Sequence, residues 1–105
     1  MMRFVETSWF TDRITDLLTD DEYRELQVAL ILRPELGPVM KRTGGARKAR
    51  WGYRASGKRG GVRIIYYWDG KEQFYMLYAF AKNEQATLTR AQEKFFKAVI
   101  EKEFS

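Results

Sequence analysis

Residues 62–81 read VRIIYYWDGKEQFYMLYAFA. Val62 to Trp68 is the richest stretch of the chain in β-branched and aromatic residues, the composition that suits a packed, pleated strand. Asp69-Gly70 is a hairpin signal, and Gln73 to Ala81 reads as the returning strand. Ala79 and Ala81 are small enough to admit a closely packed helix. Upstream, residues 46–53 alternate well enough to form a further strand. On that strand Arg47, Ala49 and Trp51 share one face, and Lys48, Arg50 and Gly52 share the other. Ala55 to Gly61 (ASGKRGG) reads as a basic hairpin loop joining it to Val62.

On the N-terminal side, Met2 to Glu6 is predicted as a short strand with Phe4 pointing inward. Thr7 or Ser8 can cap a helix over 9–18, whose Phe10, Ile14, Leu17 and Leu18 recur at helical spacing. Thr19-Asp20-Asp21-Glu22 is a capping box with acids suited to the helix dipole. The helix that follows runs to Arg33, where Pro34 stops it. Its apolar stripe is Tyr23, Leu26, Leu30 and Ile31, widened by Val28 and Leu32. Gly37-Pro38 and Thr43-Gly44-Gly45 mark turns. At the other end Thr89 and Gln92 form a second capping box, opening a helix over 90–103 with Phe95, Phe96, Val99 and Ile100 on its apolar side. The order is β-α-α-β-β-β-α. The expected class is α+β: a small antiparallel sheet with the N-terminal helical hairpin on one face and a C-terminal helix. The other sheet face is expected to be open and basic.

Charge is concentrated. Residues 41–63 (KRTGGARKARWGYRASGKRGGVR) hold nine basic side chains and no acid, leaving the rest of a +5 chain at −4. Such a polarised field attracts polyanions and speeds their capture. The length of 105 residues fits one domain spanning 1–105. With no cysteine, disulfides and thiolate chemistry are excluded, which fits a cytoplasmic protein. No signal peptide or membrane span is visible. There is no histidine, so any acid–base chemistry must run on Lys, Arg, Tyr or carboxylates, and no metal site of the His/Cys type is expected. No cofactor is expected either.

Gly52 to Arg59 nearly spells the phosphate loop GxxxxGK[ST], but Arg59 stands where the magnesium-binding hydroxyl belongs. The segment also leads into a strand instead of a helix. Nucleotide hydrolysis is set aside on those grounds. The stronger constellation is Lys48, Arg50, Lys58, Arg63 and Lys82, whose strand positions let them converge around one phosphate within roughly two strand spacings, ~10 Å. Arg47, Arg54 and Arg59 add further cations for RNA, and Tyr53 is a candidate base platform. Most other aromatics, Trp51, Tyr66, Tyr67, Tyr75 and Tyr78 included, read as packing residues. From these residues alone, phosphate clamping and RNA cleavage both stay open.

The run LGPVMKRTGGARKARW, then GKRGGVRIIYYW, FYMLYAFAKNE and a terminal amphipathic helix, resembles the RelE/HigB-like toxins of bacterial toxin–antitoxin modules. It looks closest to the HigB branch, with TGGxRK, GKRGGxRIIYY and KNE, and covers nearly the whole chain. The resemblance implies a ribosome-dependent endoribonuclease that cuts mRNA in the decoding site and stops translation. It also implies a small cognate antitoxin that neutralises the toxin by direct binding. Carried over by position, the catalytic set is Lys48, Arg50, Arg63 and Lys82, with Lys58 in the basic loop. Relatives with an arginine after that last lysine and a nearby tyrosine differ here, at Asn83 and at Leu88 or Thr89. Two alternatives stand beside this reading: a ParE-like toxin that poisons gyrase, and a non-catalytic RNA-binding module.

Cleavage by attack of a 2′-OH on the adjacent phosphate needs a base, an acid for the leaving 5′-oxygen and positive charge for the phosphorane. Arg63 is expected to supply that charge, because a guanidinium holds two phosphate oxygens at once. Lys48 is the candidate base, since neighbouring cations disfavour a protonated amine. Lys82 or Lys58 is the candidate acid, and Arg50 orients the phosphate.

Overall fold

A computed structural model describes residues 2–52 and 61–104. Strand β1 (Arg3–Glu6) leads into helices α1 (Ser8–Leu17) and α2 (Asp20–Leu32). Strands β2 (Arg47–Trp51), β3 (Val62–Trp68) and β4 (Gln73–Ala81) follow, and helix α3 (Arg90–Phe104) closes the chain. The β-α-α-β-β-β-α order and the α+β class agree with the sequence.

Local signals explain the helix starts. Thr7 caps α1 by accepting the Phe10 N–H at 3.1 Å. Thr19 and Glu22 exchange both bonds of the capping box ahead of α2. Thr89 and Gln92 do the same ahead of α3, at 3.0 and 3.1 Å. Each such cap contributes about 1 kcal/mol by satisfying donors that the first turn leaves unpaired.

The sheet runs β1-β4-β3-β2 and is mixed. β2–β3 and β3–β4 are antiparallel as expected, but β1 pairs with β4 in parallel, Phe4 opposite Phe74. Two helices separate β1 from β2, so the chain can cross the sheet and lay its first strand on the far edge. Stacking of the Phe4 and Phe74 rings, centroids 4.8 Å apart, holds that register.

One face packs against α1 and α2 through Phe10, Ile14, Leu26, Leu30, Ile64, Tyr66 and Phe74, all buried. The opposite face was expected to be open. It is instead covered over much of its area by α3, where Ile65, Leu77, Phe80, Phe96 and Ile100 form a second buried cluster. Central strand β3 is therefore buried on both sides, which is why it reads as a nearly continuous apolar run. The neighbouring strand β4 carries a bulge at Leu77: Ile65 pairs with Tyr78 and Tyr66 with Met76. The extra residue lets Phe74 and Met76 share the first core with Ala79 and Ala81 despite the change from even to odd positions. Burying a large apolar side chain contributes about 1.5–3 kcal/mol, so both clusters matter to stability.

Past the end of β1, α1 seals the free edge of β4: Thr7 Oγ1 donates to the Leu77 carbonyl (2.8 Å) and Arg13 Nε to that of Ala79 (3.4 Å). In α2 the predicted stripe is narrower than expected. Leu26 and Leu30 are buried, while Val28, Ile31 and Leu32 are exposed because the sheet reaches only one side of the helix.

Candidate functional site

The strand register decides which basic side chains meet. Arg50 on β2 lies directly opposite Arg63 on β3, and Arg63 lies opposite Phe80 on β4. Lys48 stands opposite Ile65, which in turn pairs with Tyr78. Directly opposed residues share a sheet face, so Lys48, Arg50 and Arg63 lie on the side where α3 packs. Where α3 does not reach, a hollow of about 320 Å³ opens, lined by Arg50, Trp51, Gly52, Gly61, Arg63 and Lys82. A second hollow of about 280 Å³ is lined by Leu36, Pro38, Lys48 and Arg50. Arg50 is common to both. Lys48 thus sits one strand repeat, roughly 7 Å, from the hollow that gathers the other three cations.

Arg63 is the unusual member. It is 5% exposed, held in the central strand between β2 and β4. Burial first, and the Arg50 charge second, push its guanidinium below the ordinary arginine range. It remains a cation at neutral pH, because arginine starts so high. Two like charges directly across a strand pair repel. The arrangement therefore favours any anion that enters between them.

Gly61 shapes the wall. Its φ is +72°, and a Cβ there would lie 2.7 Å from the Trp51 carbonyl oxygen, so only glycine fits. Its own carbonyl accepts the Lys82 N–H at 3.3 Å, joining the start of β3 to the end of β4. The turn after β4 carries Lys82. Glu84 closes this turn, its N–H reaching the Ala81 carbonyl at 2.9 Å and its carboxylate accepting the Ala81 N–H at 2.9 Å. The same carboxylate is paired with Arg13 of α1. Arg13 and Glu84 thus hold the turn that carries Lys82, a link that the sequence reading did not assign. Glu84 was visible in the KNE motif, but nothing local in α1 pointed to Arg13.

Other predicted site residues fall elsewhere. Arg47 lies on the opposite face with Ala49 and Trp51, as its alternation requires. It donates from Nη1 to the Gly37 carbonyl (2.9 Å) and pairs through Nη2 with Glu35 (3.4 Å), so its side chain is tied to the loop after α2, outside the hollow. Tyr66 holds the same loop, donating to the Pro34 carbonyl (2.7 Å) and accepting from the Gly37 N–H (3.0 Å). Tyr53, Arg54, Lys58 and Arg59 lie outside the described residues. No carboxylate lines either hollow among the described residues.

Fold and hollows define a small α+β protein presenting a cationic end of its sheet. Residues 2–104 match the family described as the RelE toxin of the RelE / RelB toxin–antitoxin system. The chain belongs to this family of toxins.

Proposed function

We propose that this toxin is a ribosome-dependent endoribonuclease that cuts translated mRNA, as in the HigB-like branch of its family. The observation that carries the reading is the hollow where buried Arg63, Arg50 and Lys82 face one space, with Lys48 beside it. A phosphodiester in that hollow has cations on several sides. In the reaction the 2′-oxygen bonds to phosphorus and the bond to the 5′-oxygen breaks. Lys48 takes the 2′-OH proton, and Lys82 or Lys58 gives one to the leaving oxygen. The products carry a 2′,3′-cyclic phosphate and a 5′-hydroxyl. Arg63 stabilises the dianionic phosphorane by donating to its oxygens, with Arg50 orienting the phosphate.

Lysines are poorly matched to acid–base work at neutral pH, so positioning must supply much of the rate. That supports dependence on a ribosome holding the mRNA. The family supports a cognate antitoxin as partner, and the whole chain is read as one toxin domain acting in the cytoplasm. No helix among the described residues is long and apolar enough to cross a membrane. The test is to add purified toxin to translating ribosomes and to naked mRNA, then map the new ends. Cuts with 5′-hydroxyl ends on ribosomes, and almost none on naked mRNA, support the reading. RNA retention without cuts would leave a binding module, and loss of gyrase supercoiling without cuts would favour the ParE-like alternative.

A further inference from the structure

The smaller hollow, about 280 Å³, shares Arg50 with the phosphate site but has walls of a different kind. Leu36 and Pro38 of the loop after α2 form one side, and Lys48 and Arg50 of β2 form the other. Its volume is close to the lower limit of ligand pockets, ~300 Å³, a scale that suits one base with its sugar.

The Leu36–Pro38 wall is held in place from behind. The Lys48 N–H donates to the Pro38 carbonyl at 3.1 Å, and Arg47 Nη1 donates to that of Gly37 at 2.9 Å. The buried Tyr66 hydroxyl accepts the Gly37 N–H at 3.0 Å. These bonds all come from β2 or β3, so the wall shares one rigid frame with Lys48, Arg50 and Arg63. A Cβ at residue 37 would lie 2.6 Å from the Lys48 carbonyl carbon, so only glycine lets the loop lie this close to β2. Leu36 is half-buried against the core beneath α1 and α2, whereas Pro38 faces solvent.

The reaction identifies the occupant. Lys48 takes the proton of a 2′-OH, and that hydroxyl belongs to the nucleotide on the 5′ side of the broken bond. Its 3′-phosphate is the one that Arg50, Arg63 and Lys82 receive. The nucleotide must then stand beside Lys48 with its phosphate toward Arg50, which is where the smaller hollow lies. Position next to the reacting phosphate, not charge, decides what fills it.

We propose that this hollow seats the nucleotide 5′ of the scissile bond, its base and ribose against Leu36 and Pro38, which bring the 2′-oxygen to Lys48. The inference rests on RNA cleavage being the activity. The test is a double-mutant cycle in single-turnover cleavage of a synthetic mRNA on ribosomes, with an abasic nucleotide either 5′ or 3′ of the cut. The abasic ribose keeps the attacking 2′-OH. Wild type should slow about 10-fold when the 5′ base is missing, as for a group lost from an apolar pocket. In Pro38→Ala, and separately in Leu36→Ala, that penalty should shrink to about twofold, because groups in contact are not additive. Leu36→Met, which conserves volume, should restore it. Pro38 is exposed, so Pro38→Ala decides the matter if Leu36→Ala unfolds. An undiminished penalty in Pro38→Ala overturns the proposal, as does coupling to the 3′ abasic site instead. Wild-type chain that leaves unmodified mRNA whole fails the cleavage reading and this inference with it, whereas cleavage without coupling fails this inference alone.

Discussion

At Tyr66 one hydroxyl does two structural jobs, donating to Pro34 and accepting from Gly37 inside the protein. Tyr66→Phe leaves a part-buried carbonyl and a buried N–H without that partner, which costs about 1–3 kcal/mol. Urea denaturation should show that loss. Burial also raises the Tyr66 hydroxyl above its ordinary range, and burial with the Glu6 hydrogen bond raises Tyr23. A raised tyrosine stays protonated in the folded chain where the unfolded chain has already ionised. Its contribution is fully present below the unfolded pKa, about 10, and is lost as pH rises through the folded value. Unfolding free energy should therefore fall above about pH 10, less steeply in Tyr66→Phe. Urea midpoints between pH 8 and 11 check this, and an unchanged slope in the variant would contradict it.

Among elements, the turn after β4 links stability to the site. Glu84 and Arg13 are partly exposed, so breaking their pair should change stability by less than about 1 kcal/mol. The same change frees the turn that carries Lys82. Glu84→Gln should then lower cleavage on the order of 10–100-fold with little loss of stability, because small misplacements of a reacting group are expensive in rate. Single-turnover cleavage beside thermal unfolding checks both halves. Element types and order were legible in the sequence because caps, helical spacing and strand composition are local signals. The β1–β4 pairing, the Leu77 bulge and the cover that α3 gives the second face were not, since each depends on residues far apart in the chain. The site divides the same way. Alternation along β2 put Lys48 and Arg50 on one face and Arg47 on the other, whereas the bond from Arg13 to Glu84 joins α1 to the end of β4 and leaves no local mark.

For the whole molecule, charge is gathered at one end of the sheet, where Arg50, Arg63 and Lys82 line one hollow that an anion can enter. A buried arginine faces another arginine across a strand pair there, a repulsive contact that an anion entering between them relieves. The most direct measurement compares wild type with Arg63→Ala on two axes, mRNA cleavage on translating ribosomes and unfolding free energy. The account predicts cleavage down about 100–1,000-fold, as when one transition-state donor is removed. It also predicts that the variant stays folded, with a cooperative unfolding transition. Normal cleavage by a folded Arg63→Ala protein would contradict it.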